Sequence, residues 1–158
     1  MIIVRSIFIW MIFFLFISNP AYAYKDNFHL SKHNSIVGSW RFKVDVPNLP
    51  TFLVLQTFHK DHTFVDANSM NPSVESSAHG VWKKIDRNKY AVTAEFFSFD
   101  EDKTLTGTIR ARLTIFLNDI DHASGYAVLD FIDLDGNVMP EINSATFTGK
   151  RIKLVLTD

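Results

Sequence analysis

Several clusters of side chains have types and spacings that bear on chemistry. His59-Lys60-Asp61-His62 brings two imidazoles and a carboxylate to one short segment. A zinc site needs at least one further ligand, and Asp66 is the nearest candidate. The segment reads more simply as a turn with exposed histidines. His79, Glu95 and Asp130 would form an acid–base set if a fold brought them together. Nothing in their spacing requires that. No G-x-S-x-G motif occurs, and the chain has no cysteine. Ser76-Ser77-Ala78-His79 is only a loop serine near a histidine. No catalytic residue, metal ligand or cofactor is therefore assigned. Asp133-Leu134-Asp135-Gly136-Asn137 has the look of a calcium loop, but its glycine comes too early and Ser144 stands where a glutamate should close the loop. It reads as a hairpin turn built on Asp-Gly.

Binding chemistry has better candidates. Trp40, Phe42, Val44 and Val46 alternate with Arg41, Lys43 and Asp45, so they share one face of a strand. Such a face packs a core, or it forms the floor and wall of an apolar pocket. Trp40, Phe42 and Trp82 are the expected lining, and the hydroxyls of Tyr90 and Tyr126 would orient a ligand. Gly107 and Ala111 leave space opposite large residues.

The elements that must position these residues are strands. Period-two alternation marks segments 40–46, 51–59, 63–67, 79–85, 89–99, 104–117, 123–132 and 145–156. Short acidic or Asn-rich turns separate most of them. The clearest strand sets Leu105, Gly107, Ile109, Ala111, Leu113, Ile115 and Leu117 against Thr106, Thr108, Arg110, Arg112 and Thr114. Arg110 and Arg112 then face solvent and pair with acids such as Glu95. An inverted, lipid-facing barrel would instead turn both arginines inward. The expected fold is all-β, an eight-stranded antiparallel up-and-down barrel. A β-sandwich is the alternative.

The start of the chain reads as a secretory leader. A short stretch with Arg5 precedes an apolar run over 7–17, and Ala21-Tyr22-Ala23 supplies a small-residue cleavage site. Domain organisation follows: signal peptide 1–23, polar lead-in 24–35, and a single barrel domain 36–158. No transmembrane span is expected after leader cleavage. The expected location is outside the cytoplasm, periplasmic or extracellular. The whole chain carries 16 basic and 17 acidic residues. That balance excludes the basic stripe of an electrostatic nucleic-acid binder.

Gly38-Ser39-Trp40 opens the first strand after a polar lead-in. It resembles the G-x-W signature of the lipocalins and the wider calycin superfamily. The resemblance implies a barrel whose base is closed by Trp40, with Gly38 turning the chain into that base. It also implies a late arginine packed over the indole, and Arg151 in Thr148-Gly149-Lys150-Arg151-Ile152 is the matching residue. Gly38, Trp40 and Arg151 would form a structural latch. A late T-D-Y-like motif and a C-terminal helix, both common in that family, are not found. The implied activity is binding of a small apolar or amphipathic ligand. Two other classes stay open: a filled barrel that binds a protein partner through its loops, and a small barrel lyase or cyclase. An internal cavity distinguishes the first from the second. A buried acid with a shifted pKa in that cavity favours the third.

Overall fold

The structure is a computed structural model that describes residues 35–70 and 73–157. The leader 1–23 and nearly all of the lead-in lie outside the described residues. The strands are β1 (Gly38–Asp45), β2 (Phe52–Phe58), β3 (Thr63–Asn68), β4 (His79–Lys84), β5 (Lys89–Phe99), β6 (Leu105–Leu117), β7 (His122–Asp133) and β8 (Val138–Arg151). Each pairs antiparallel with the next, and β1 pairs with β8 to close the barrel. Closure removes both sheet edges and decides against the sandwich. Among the described residues no helix is long and apolar enough to cross a membrane.

Alternation in the sequence becomes inside and outside. In β1, Trp40, Phe42 and Val44 are buried while Arg41, Lys43 and Asp45 are exposed. In β6, Ala111, Leu113, Ile115 and Leu117 point into the core, with Arg112 exposed between them. The barrel is thus not inverted. Arg110 meets Glu95 at 2.8 Å on the outer face. Arg112 grips Asp130 through Nε and Nη2, both at 2.9 Å.

Most strand ends fall within one or two residues of the sequence reading, but the last strand differs at both ends. The last strand occupies 138–151, not 145–156. Its early start follows from the tight turn after β7, which pairs Ile132 with Val138 at once. Pro140 and the left-handed Glu141 (φ 54°) hide that start from any alternation rule. Its end is set by its partner. Trp40 pairs with Arg151, the Ile152 amide donates to Ser39 O, and β1 begins at Gly38, so little β1 backbone remains to pair with.

Candidate functional site

The barrel has two dissimilar ends. One is shut by large side chains. Ile36, Trp40, Phe58, Tyr90, Ile115 and Leu117 are almost completely buried there. Gly38 has φ 120°, a conformation that L side chains rarely adopt, and it lets the 35–37 segment reach this end. Trp40 Nε1 donates to Ile36 O at 2.8 Å. Arg151 lies with its Cζ 4.3 Å from the Trp40 ring centre. Its guanidinium donates to Ser35 O, Val37 O and Ile120 O at 2.6, 2.7 and 2.8 Å. Burial lowers the Arg151 pKa, and the charges of Asp121 and Tyr90 oppose that shift. Gly38, Trp40 and Arg151 are therefore in mutual reach, and the cation ties the incoming segment to the β6–β7 turn.

The opposite end holds a cavity of about 180 Å³. Val44, Val54, Phe96, Leu113, Leu129 and Phe147 form its apolar wall. Ala94, Ala111, Ala127 and Ala145 also line it, and their small side chains create the space. Exposed Leu49 and half-buried Met70 stand at its rim.

One side of this cavity is polar. Gln56 and Asp66 are direct cross-strand partners on β2 and β3. Both line the cavity, with Asn68, Glu75 and Asn143. Gln56 is only 6% exposed, and its Oε1 has no hydrogen-bond partner among the described residues. Such an acceptor costs about 1–3 kcal/mol when left unpaired. Asp66 accepts from the Ala78 amide at 3.0 Å. Burial raises the Asp66 pKa, against that hydrogen bond and the charge of His79. Glu75 is raised by burial and then by the Asp66 charge, while a hydrogen bond with Asn68 opposes both.

Glu75 reaches the cavity because its segment is pinned to β5. Glu75 bridges Ser98, the Ser76 amide donates to Phe97 O, and the Phe99 amide donates to Val74 O. The Phe97 amide also donates to Ser76 Oγ at 2.9 Å. The segment lies against β5, and Glu75 lines the cavity from it.

The residues expected to line a ligand fall elsewhere. Trp40, Phe42, Trp82 and Tyr90 fill the closed end or the layer above it and do not line the cavity. Phe42 lies over Gly149, where a Cβ would come within 2.4 Å of its ring. Trp82 Nε1 donates to His59 O at 3.0 Å, and the Tyr90 hydroxyl is hydrogen-bonded to the Ile36 backbone. Tyr126 is 46% exposed on the outer face, because its neighbours Gly125 and Ala127 take the inward positions. Of the small residues, Ala111 does line the cavity, but Phe131 occupies the space at Gly107.

His79, Glu95 and Asp130 do not converge inside the barrel, although His79 and Glu95 are cross-strand partners on β4 and β5 and Arg110 pairs with both Glu95 and Asp130. Glu95 is exposed beside Arg110, His79 is exposed, and Asp130 is held by Arg112 and the Glu141 amide. His62 packs on the Trp82 ring instead of facing a metal. Among the described residues no three His, Cys, Asp or Glu side chains are placed to hold a metal ion. The Asp133 carboxylate accepts from the Asp135 and Asn137 amides, as a turn requires.

The polar cavity residues were only partly legible. Gln56 breaks the apolar face Val54-x-Gln56-x-Phe58, and that interruption is a usable signal. Glu75 gave none, because its position depends on pairing with a distant strand. No protein-family model matches the sequence, and no curated protein matches it. Among solved structures it is similar to a redesigned beta barrel, with TM-score 0.49 and 12% identity over 78% of this chain and 98% of that one.

Proposed function

We propose that this chain is an exported binding protein that holds a small apolar or amphipathic molecule in the open end of a lipocalin-like barrel. The observation that carries the reading is the apolar-walled cavity of about 180 Å³ at the end opposite the Arg151 latch. A dry cavity of roughly 150 Å³ is enough to bind benzene. A molecule of about ten non-hydrogen atoms, at roughly 0.5–0.7 kcal/mol per atom, would bind with Kd of about 10–200 µM. Gly38-Ser39-Trp40 and Arg151 support the calycin-like assignment, and Ala21-Tyr22-Ala23 supports export.

The test is native mass spectrometry of the protein exported through its own leader from a bacterial host, without detergent. The expected result is a discrete adduct lost on gentle activation. It should be absent from Ala111→Phe, whose ring fills the cavity. An adduct that persists in a folded Ala111→Phe, or a bare protein that takes up no small aromatic probe, refutes the reading.

The raised pKa values of Asp66 and Glu75 favour a second reading, a small barrel enzyme using the pair for acid–base work. Conversion of the captured molecule by the wild type, but not by Asp66→Asn, would establish it. Its release unchanged by both leaves binding alone.

A further inference from the structure

Three acceptor groups meet on one side of the cavity. Gln56 and Asp66 are cross-strand neighbours with both side chains inward. Their Cβ atoms in such a pair lie about 5 Å apart. Glu75 is hydrogen-bonded to Asn68, two residues along the same face of β3, and it feels the Asp66 charge. Gln56 Oε1 is buried without a partner. Among the described residues no Lys or Arg lines the cavity to neutralise the two acids. The rest of the wall is aliphatic or aromatic apart from Asn143 across the barrel.

We infer that the natural ligand carries a primary ammonium group on a compact apolar body, with the ammonium seated among Gln56, Asp66 and Glu75. An ammonium has three donors and no acceptor. It would satisfy the orphaned Oε1 and relieve the repulsion between the carboxylates in one step. The apolar body then lies against Leu113, Leu129 and Phe147. An anionic ligand would add a third negative charge to the same side of the cavity. A neutral alcohol would satisfy one acceptor and leave the acids facing each other. The inference rests on the cavity-binding reading above and names the ligand class for that site.

Three probes of nearly equal shape separate the possibilities: 3-phenylpropylamine, 3-phenylpropan-1-ol and 3-phenylpropionate. Each is titrated calorimetrically into the full exported protein at neutral pH. The expected order is amine at least tenfold tighter than alcohol, with no detectable binding of the acid. Glu75→Gln should remove most of the preference for amine over alcohol. Gln56→Leu should weaken the amine by about tenfold. Ala111→Phe should abolish binding of both amine and alcohol, which excludes the outer surface as their site. Near-ultraviolet circular dichroism checks each fold. If Gln56→Leu does not fold, Glu75→Gln alone carries the test, because Glu75 sits in the segment between β3 and β4. Equal binding of amine and alcohol overturns the ammonium inference while the cavity reading stands. Failure of all three probes overturns both.

Discussion

Removing the Arg151 guanidinium should open the closed end of the barrel. Three hydrogen bonds of 2.6–2.8 Å run from it to carbonyls in two separate segments. A hydrogen bond to a charged group contributes about 1.5–3 kcal/mol when sheltered. Arg151 is half-buried, so the low end applies, and water will recover part of the loss at the freed carbonyls. That leaves roughly 2–3 kcal/mol for the set after this discount. The contact with Trp40 adds about 0.5–1 kcal/mol. Arg151→Ala should therefore lower stability by about 2.5–4 kcal/mol, or roughly 10–15 °C in melting temperature for a domain of this size. Arg151→Lys keeps the charge but cannot reach three carbonyls at once, so it should lose roughly 2 kcal/mol. Urea unfolding followed by tryptophan fluorescence measures both, with the slope on denaturant unchanged if only stability has moved. A loss below about 1 kcal/mol for Arg151→Ala, or equal losses for Ala and Lys, would refute the latch as an energetic feature.

Other outcomes follow from the same geometry. Lys103 sits at φ 64° in the β5–β6 turn. Lys103→Gly removes a strain of roughly 1–2 kcal/mol against an entropy cost of about 0.5–1, so thermal unfolding should show a gain of about 0.5–1 kcal/mol. Gly149→Ala drives a methyl into the Phe42 ring and should cost about 1–3 kcal/mol by urea titration. Asp66 and Glu75 have raised pKa values in the folded state, so the native protein holds their protons longer than the unfolded chain does. Stability from this source is greatest below the ordinary carboxylate range and falls as pH rises through the raised values. Asp66→Asn, which keeps an oxygen for the Ala78 amide, should then be more stable than wild type at neutral pH. A less stable variant there would count against burial as the cause. Asp133 runs the other way. Hydrogen bonds from Asn137 hold its pKa down. Its contribution is full above the ordinary carboxylate range and is lost as pH falls through the depressed value, so Asn137→Ala should flatten the acid limb of a stability–pH curve.

Alternation by itself determined most strands and their inward faces, whereas the β1–β8 pairing that closes a barrel and excludes a sandwich came only with the tertiary structure. A period of two admits only one side of a strand to the core, and β6 states that side over 13 residues. The pairing of Gly38-Ser39-Trp40 with a late arginine was anticipated only through the resemblance to the G-x-W signature, not from any local pattern around Arg151. The sequence did not determine which inward residues would fill the barrel and which would line its space. Trp40, Phe42, Trp82 and Tyr90 are the largest inward groups and were the natural candidates for a pocket. Large groups close space, however, and the cavity lies where Ala94, Ala111, Ala127 and Ala145 meet in the closed sheet. That meeting depends on register around four strands, which no local pattern carries. Tyr126 was misplaced by the same gap, since Gly125 leaves the inward set of β7 without a side chain to mark it. Glu75 enters the site only because its segment bonds to β5, more than twenty residues away in sequence. Non-local hydrogen bonds and closure decided the site, whereas local side-chain periodicity decided the wall that holds it.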